Sequence, residues 1–361
     1  MMPAGSNGPR VSAAGKATRA IAVDPLEYAD WDASVTAHPQ GTVFHSSGWA
    51  RVLMDTYGHK PVYVARFEEK RLAGLLPVME VSSWLTGRRG VSLPFTDYCP
   101  ALKGLGNDER DLYQKATESG RERGWKYLEC RSFDGGWTGA RSSISFYGHN
   151  IDLQAGQDRL FQNLDGSVRQ GVRKAEKAGL KIDFDTSEQS MRTFFKLHCG
   201  TRRRHGLPPQ PWRFFWNVQR YLLNLGSGFI ATVRLGCRPL AAAVFLHQGR
   251  QAIYKFGASD YAFQQLRPNN LLMWAAMNHC AERGMTGLHL GRTSLSNEGL
   301  RRFKLGLGSA EQEIRYMKYD FSSEQFIGDV DRAEGWHNRV FARLPLLVLR
   351  LAGSVLYPHL S

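Results

Sequence analysis

The sequence predicts an α/β (α+β) protein that contains two similar units, each a mixed, largely antiparallel sheet flanked by helices. Both halves of the 361-residue chain contain an apolar run typical of a buried strand, RLAGLLPVMEV at 71–81 and RPLAAAVFLHQ at 238–248. Further along each half, a helical stretch ends in Glu-Arg-Gly before a short apolar strand that ends in arginine. The glycines Gly124 and Gly284 suit the left-handed position that ends many helices. Two matches in the same order indicate a duplicated unit.

The first half reads as a pair of strands, a helix and two further strands. A charged turn separates the paired strands, and the helix ends at the first of the two glycines. The predicted elements are strands at 61–67 and 72–81, a helix at 108–123, and strands at 125–130 and 143–153.

The second half reads as a meander followed by a long helix. Turns of only a few residues between three strands are typical of antiparallel neighbours, and Pro268 begins the next helix where its fixed φ is favourable. The predicted elements are helices at 167–178, 188–204, 212–225, 268–283 and 297–305 and strands at 180–185, 229–235, 240–247, 251–256, 288–290 and 313–319.

The composition excludes a disordered chain and draws attention to positive charge. Hydrophobic residues make up 42% of the chain, enough apolar surface to offset the conformational entropy of folding. Lys and Arg number 47 against 33 Asp and Glu, a net charge of +14. The five cysteines form no CxxC pair, so we expect reduced thiols and no metal site. The charge leaves a nucleic-acid-binding protein open as an alternative function.

The termini differ in composition from the rest of the chain. We expect a disordered basic leader at 1–20, an N-terminal unit at 21–150, a C-terminal unit with the active cleft at 151–325, and a helical tail at 326–361. The apolar run at 344–356 is too short to span a bilayer as a helix. Because arginines intersperse it, the tail either lies on an anionic membrane surface or packs on its own domain. The expected location is the cytoplasm, with peripheral contact to the inner face of the cytoplasmic membrane left open.

Several segments resemble the Fem-type branch of the GNAT acyltransferase superfamily. They are SVRQGVRKAEKAGL (167–180), YKFGASDYAFQQLRPNNLLMWAAM (254–277) and LGRTSLSNEGLRRFKLGLG (290–308), with FHSSGWARVLMDTYGHKP (44–61) and SLPFTDYCP (92–100) similar to the N-terminal domain of the group. The resemblance is closest to FemAB-related proteins of exopolysaccharide and exosortase gene systems. It implies two tandem GNAT-like domains and acyl or aminoacyl transfer onto an amine or hydroxyl of a polysaccharide or peptidoglycan precursor.

The sequence lacks both features by which its relatives bind their donors, the helical arm for aminoacyl-tRNA and the glycine-containing loop for coenzyme A. Fem ligases that use aminoacyl-tRNA carry a long helical hairpin arm, whereas residues 185–229 have room only for two ordinary helices. GNAT proteins that use coenzyme A carry Arg/Gln-x-x-Gly-x-Gly/Ala after the equivalent strand, and QQLRPNN stands here instead. The resemblance leaves acyl-coenzyme A and aminoacyl-tRNA open as donors, and the missing arm disfavours the tRNA.

The candidate binding residues surround the start of the long helix. Arginine forks and helix N-termini bind phosphates and carboxylates well. A phosphate-bearing precursor, either a nucleotide-sugar or lipid-linked, is the expected partner, and no specific DNA is expected. The candidates are Arg267, Asn269, Asn270, Tyr254, Lys255, Ser259, Arg292, Phe303 and Lys304, together with Arg169, Arg173 and Lys174 on the basic helix.

The catalytic group is the least defined feature of the sequence. Acyl transfer needs a neutral amine, a polarised carbonyl and a proton path. Asp97, His247, Asp260 and His289 are the candidate bases, with Asp97 and Asp260 favoured, and each has an ordinary structural role as the alternative. A catalytically silent scaffold of duplicated domains is a further alternative. Much of the positive charge lies in the leader and on helices at the entrance of the second unit, which favours a phosphate-bearing substrate over a duplex.

Overall fold

The computed structural model describes residues 19–68, 71–104, 109–132, 137, 139–329 and 341–360. In these ranges the helices are α1 (Trp31–Ala37), α2 (Ser47–Tyr57), α3 (Arg110–Glu122), α4 (Gln157–Asn163), α5 (Gly166–Lys177), α6 (Glu188–Arg204), α7 (Trp212–Tyr221), α8 (Pro268–Glu282), α9 (Glu298–Leu305) and α10 (Leu346–Leu356). The strands are β1 (Ile21–Val23), β2 (Lys60–Pro61), β3 (Tyr63–Glu68), β4 (Arg71–Leu76), β5 (Met79–Ser83), β6 (Gly87–Ser92), β7 (Tyr127–Cys130), β8 (Ile144–Asp152), β9 (Lys181–Asp185), β10 (Gly228–Leu235), β11 (Arg238–Gln248), β12 (Gln251–Ser259), β13 (Gly287–Ser294), β14 (Ala310–Asp320) and β15 (Gln325–Phe326).

One long sheet runs through both halves of the chain. Its strand order is β2-β5-β6-β7-β14-β8-β13-β12-β11-β10-β9, and β15 pairs with β14. A smaller sheet, β1-β3-β4, is formed within the first half of the chain. Most pairings are antiparallel, and helices cover the faces, so the predicted α/β (α+β) class is confirmed.

The two halves repeat one βαβ unit. Strands β6 and β7 are parallel and flank α3 in sequence, and β12 and β13 are parallel and flank α8. Each half then gives its next strand to the other half, because β8 pairs with β13 while β14 pairs with β7. Strands β8 and β14 also pair with each other at the centre of the sheet. This exchange makes the sheet continuous.

Two large apolar cores lie against the second half of the sheet. The first, here called the α6-side core, contains Phe194 and Phe214 together with Trp49 of α2. The second, the α8-side core, contains Val172 of α5 and Trp274 of α8. Burying large aromatic side chains on both faces stabilises the sheet between them. The residues of β10, β11 and β12 divide between these cores.

The elements predicted from the sequence mostly occur, with two corrections in the first half. The strand predicted at 61–67 is divided between β2 and β3, which belong to different sheets. The single strand predicted at 72–81 is two strands, β4 and β5, separated at Pro77 and Val78. Proline has no N–H for a strand ladder, which explains why β4 ends at Leu76. Helices α1 and α2 were not among the predicted elements. Strand β8 spans the expected boundary at 150, and the division into domains stays a prediction. Residues 1–18 of the leader and 330–340 of the tail lie outside the described residues.

Candidate active site

The candidate site lies where the parallel strands β12 and β13 separate. They pair only over Gln251–Ile253 and Gly287–His289, and beyond that point no pairing joins them. Both strands are irregular there. The register of β12 against β11 shifts at Lys255, and the register of β13 against β8 shifts between His289 and Arg292.

The irregularity in β12 changes the direction of its side chains. Tyr254 packs against the α8-side core, where its ring meets Phe245 at 5.5 Å between centroids. Phe256 packs against the α6-side core, although a regular strand would put it on the same face as Tyr254. An extra residue in one strand of a pair reverses the order in which the following side chains alternate between the two faces of the sheet. The extra residue is Lys255, whose ammonium lies 4.9 Å from the Phe256 ring centroid.

A loop from the first half places Asp97 between the separated strands. Lys255 Nζ donates to Asp97 Oδ2 over 3.2 Å, and Arg292 Nε lies 4.0 Å from Asp97 Oδ1. Lys255 and Arg292 belong to β12 and β13, so the carboxylate bridges the two strands at their divergence. The side chain of Lys255 is only 4% exposed, whereas those of Asp97 and Arg292 are 25% and 36% exposed. The cluster therefore has a dry side and a solvent-facing side.

Two side chains, one directly after β7 and one on β14, hold the Asp97 loop by its backbone. Arg131 donates to the Thr96 carbonyl over 3.0 Å, and the Tyr316 hydroxyl donates to the Asp97 carbonyl over 2.6 Å. Phe95 has a φ of +61°, a conformation that L-residues other than glycine adopt at a cost. Its ring packs against Tyr57 at 4.9 Å between centroids. The loop is thus fixed at several points around Asp97.

Lys304 approaches the same place from α9. Its Nζ donates to the carbonyls of Gly291 and Arg292 over 2.9 and 3.0 Å, and the residue is 3% exposed. An ammonium has three donors, so one N–H remains after these two bonds. The neighbouring Phe303 packs against the α8-side core, which anchors the helix that carries Lys304.

Gly291 allows the close approach of Asp97. It has a φ of +72°, and a Cβ at this position would lie 3.1 Å from Asp97 Oδ2. The Gly291 N–H donates to His289 Nδ1 over 3.0 Å. Burial lowers the pKa of His289 to about 4, so the imidazole is neutral at pH 7. A neutral ring whose Nδ1 accepts a bond carries its proton on Nε2, which has no partner among the described residues.

The charges of the cluster change one another's pKa values. Burial raises the pKa of Asp97, but Lys255, Arg292 and Lys304 together outweigh that effect and leave it below its ordinary value. Burial lowers the pKa of Lys255, and the adjacent Asp97 carboxylate opposes part of the change. For Lys304, burial lowers the pKa to about 8, again with partial opposition from Asp97. Asp97 is therefore ionised at neutral pH, while the pKa of Lys304 lies close to neutral pH.

The predicted residues at the start of α8 form a second group. Arg267 has a φ of +59° and an exposed side chain. Asn269 Nδ2 lies 3.4 Å from Ser259 Oγ, and Asn270 packs against Gly171 of α5. Pro268 has no N–H, and the N–H groups of Asn270 and Leu271 point to the Arg267 carbonyl. Side chains, rather than a series of free backbone N–H groups, are therefore the main ligands available to an anion here.

The other predicted residues lie elsewhere. Asp260 begins a 3-10 turn, where its carboxylate accepts from Ala262 N–H over 3.1 Å and from Arg238 over 3.0 Å. Among the described contacts, none joins it to the Asp97 cluster. On α5, Arg169 donates to the Gln162 carbonyl over 2.8 Å, and Arg173 lies over the Phe161 ring. Lys174 is exposed beside them. The role of each as a site residue stays a prediction.

Sequence reasoning missed the residues that support the cluster. Gly291, Tyr316 and Arg131 position Asp97. The contacts of Gly291 and Tyr316 cross from one half of the chain to the other, whereas Arg131 contacts Thr96 within the first half. Gly291 was visible as the glycine before Arg292 in a strand, a pattern that indicates a bulge or a close backbone approach. His149 was also missed: it is fully buried, and its Nε2 lies 3.2 Å from Glu311 Oε2.

The described residues contain neither a metal-binding cluster nor a membrane-spanning helix. No three His, Cys, Asp or Glu side chains within them are grouped as a metal ion would need. None of the helices in the described ranges combines the length and apolar character of a bilayer-spanning segment.

Comparisons with known proteins agree with this architecture. Residues 163–311 match the family described as Acetyltransferase (GNAT) domain. FemX superimposes with a TM-score of 0.67 at 15% identity, over 85% of this chain and 98% of that one. No curated protein matches the chain in sequence.

Two further solved structures share the fold. The C-terminal domain of a protein described as a lysylphosphatidylglycerol synthetase from Agrobacterium fabrum has a TM-score of 0.52 at 16% identity, over 75% of this chain and 86% of that one. L-PGS from Bacillus licheniformis has a TM-score of 0.50 at 14% identity, over 78% and 86%. Residues 163–311 are thus similar to GNAT acetyltransferase domains, and the predicted resemblance to the Fem-type branch is confirmed in the fold, without a confirmed link to exopolysaccharide systems.

Proposed function

We propose that this protein transfers an acyl or aminoacyl group to an amine or hydroxyl of a cell-envelope precursor, a peptidoglycan or polysaccharide intermediate that bears phosphate. The observation that carries the proposal is the convergence of Asp97, Lys255, Arg292 and Lys304 where β12 and β13 separate. A GNAT domain and a Fem-like fold support transfer chemistry at such a cleft. In this proposal the acceptor lies at the anionic inner face of the cytoplasmic membrane.

The acceptor nitrogen or oxygen attacks the donor carbonyl, and negative charge develops on the carbonyl oxygen. Cations held in a poorly solvated site stabilise such a charge strongly, because they are oriented before the reaction begins. The remaining N–H of Lys304 and the half-exposed guanidinium of Arg292 serve this role. Lys255 is bonded to Asp97 and holds the carboxylate in position.

The proton balance of the reaction involves Asp97 and Lys304. The acceptor loses one proton, and the departing thiolate or alkoxide gains one as its bond to the carbonyl carbon breaks. With its lowered pKa, Asp97 is a weak base, so its role is to accept a hydrogen bond from the acceptor and orient it. A pKa of about 8 suits Lys304 to give a proton to the leaving group and regain one from the acceptor.

The start of α8 is the proposed site for the phosphates of the donor. Arg267 supplies an exposed guanidinium there, with Asn269 and Ser259 behind it. We favour acyl-coenzyme A over aminoacyl-tRNA, because α6 and α7 pack into the α6-side core instead of forming a projecting arm. Arg169, Arg173 and Lys174 on α5 are the proposed contacts to the phosphates of the acceptor.

Parallel assays with both donors test the proposal. Purified protein is incubated with an acyl-coenzyme A panel or with charged tRNA, plus a nucleotide-linked envelope precursor, and product is scored by mass. We expect turnover with one donor, lost in Lys304→Met and Asp97→Asn and kept in Lys177→Met, which changes an exposed lysine of α5. No turnover and no thermal protection with any donor would favour the catalytically silent scaffold.

A further inference from the structure

Helix α10 exposes an apolar stripe to solvent. Leu347, Leu351 and Val355 are 67%, 61% and 63% exposed, and Val348 beside them is 45% exposed. Residues four apart share one face of a helix. The opposite face is buried: Leu349 is fully buried, and the helix passes so close to the loop before α7 that a Cβ on Gly353 would clash with the Pro209 carbonyl. Packing on the protein therefore accounts for only one side of α10.

The apolar stripe continues onto the turn between β5 and β6. In this turn Trp84 is 83% exposed and Leu85 is 60% exposed. The Trp84 ring meets the ring of His359, which follows α10, at 5.4 Å between centroids. Leu360, next to it, is 48% exposed. Soluble proteins rarely expose neighbouring large apolar side chains from two elements without a partner.

Cations accompany this apolar surface. A groove of about 270 Å³ between α10 and the start of α7 is lined by Leu347, Leu351 and Trp212 and carries Arg213 and Arg350. The Arg350 guanidinium lies over the Phe195 ring, 5.3 Å from its centroid, with the side chain exposed. The chain has no Asp or Glu after Glu334. The surface is thus apolar and basic, and the segment 335–361 that contains α10 has no Asp or Glu side chain to repel an anion.

We propose that α10, Trp84 and Leu85 dock this protein on the surface of an anionic phospholipid bilayer. The apolar stripe enters the boundary between headgroups and acyl chains, and Arg213 and Arg350 contact headgroup phosphates at the groove. An amphipathic helix with an apolar face binds in this plane, each nearby arginine adds electrostatic attraction, and tryptophan favours the interface. This inference rests on the proposed function only where it locates the acceptor at the membrane. The docking itself does not depend on acyl transfer.

The docking surface is fixed relative to the candidate active site. Tyr357 follows α10, and its hydroxyl accepts from Arg202 over 2.8 Å and donates to the Pro208 carbonyl over 3.2 Å. Its ring packs against Phe95 at 5.6 Å between centroids, two residues before Asp97. The bilayer would therefore lie at a defined orientation to the cleft, as a lipid-linked acceptor requires.

Vesicle co-sedimentation of the full chain tests this docking. The vesicles are pure phosphatidylcholine, or equal parts phosphatidylcholine and phosphatidylglycerol. We expect binding to the anionic vesicles only, weakened by salt. Leu351→Glu should weaken binding about tenfold or more, since it brings a charge into the apolar boundary, and Arg350→Gln should weaken it less. Leu225→Glu, a control at a leucine that is 74% exposed outside this surface, should bind like the wild type. Thermal melts confirm that each variant folds.

The outcomes separate this inference from the proposed function. No binding to anionic vesicles, or equal binding by Leu351→Glu, overturns the docking. A dimer in light scattering that Leu351→Glu converts to a monomer, without vesicle binding, overturns it in favour of a second copy of the chain on this face. The vesicle assay contains no donor or acceptor, so its result does not depend on transfer. A protein that binds vesicles but gives no product in the donor assays supports docking and counts against the transfer proposal. Transfer without vesicle binding does the reverse.

Discussion

Asp97 and Lys255 lie 158 residues apart in sequence, yet 3.2 Å separates the carboxylate oxygen Oδ2 from the ammonium Nζ. Asp97 comes from the loop after β6, and Lys255 is the extra residue of the irregular strand β12. The two βαβ units of the chain therefore meet at this ion pair. A site assembled in this way depends on the joint folding of both halves. Substitutions at these residues are therefore expected to change both the stability of the protein and its activity.

The first prediction concerns the coupling of this pair. Asp97→Asn removes the anion from a lysine that is 4% exposed, and we expect the free energy of unfolding to fall by about 2 kcal/mol. Full burial would cost more, but Asp97 is 25% exposed and partly screened. The double variant with Lys255→Met should lose less than the sum of the single losses in urea denaturation. Additive losses would show that the two groups do not interact.

The second prediction concerns the pH dependence of stability. The pKa of Lys304 in the folded protein is about 8 because of burial, against 10.5 in a free side chain. Between these pH values the unfolded state holds more protons, so this residue makes stability rise with pH, by at most about 3 kcal/mol. Below pH 8 the folded protein carries the buried charge and its full cost.

Urea denaturation of the wild type and Lys304→Met from pH 7 to 10.5 checks this rise. The stability difference between the two proteins should change over that window in favour of the wild type as pH increases. Lys177→Met, at an exposed site, should run parallel to the wild type throughout. A constant difference between wild type and Lys304→Met would contradict the lowered pKa.

The third prediction concerns the close approach at Gly291. Gly291→Ala places a Cβ 3.1 Å from Asp97 Oδ2 at a φ of +72°, and we expect a loss of about 2 kcal/mol with at least a tenfold fall in transfer rate. Gly124→Ala is the matched control, since its φ is +65° and its Cβ would meet nothing within 4 Å. The control should lose about 1 kcal/mol and keep its activity. Equal effects in both variants would mean that contact with Asp97 is irrelevant.

The fourth prediction separates stability from donor binding at α8. Arg267 has a φ of +59°, so Arg267→Gly should relieve the backbone and raise the free energy of unfolding by up to about 1 kcal/mol. The same change removes the exposed guanidinium, and the KM for the donor should rise about tenfold with a small change in kcat. Glu324→Gly, at a φ of +52°, should gain stability alone. An unchanged donor KM in Arg267→Gly would remove Arg267 from the site.

Local sequence patterns were enough to predict much of the fold. Helix α6 occupies the residues predicted for it, 188–204, and α8 begins at Pro268 as expected, because amphipathic spacing and proline geometry act within a few residues. The repeated Glu-Arg-Gly segments end α3 and α8, with Gly124 and Gly284 both at positive φ. Pro77 is the local signal that divides the predicted strand into β4 and β5.

The candidate site was only partly predictable. Asp97, Lys255, Arg292 and Lys304 were all candidates from the sequence, but each alone had an ordinary structural alternative. Their convergence depends on two strand irregularities and on a loop from the other half of the chain. A strand irregularity is set by backbone pairing with a neighbour, which side-chain periodicity does not encode.

By itself, the sequence determined the class of the protein, the duplicated unit and the boundaries of its long helices, because those features follow from contacts between residues close in the chain. The exchange of β8 and β14 between halves, and the bridge that Asp97 makes between β12 and β13, became visible in the folded structure. It alone showed that α10 is apolar on its exposed side as well as its buried one. Such relationships join residues far apart in sequence, and they are fixed by how whole elements pack rather than by the preferences of any one segment.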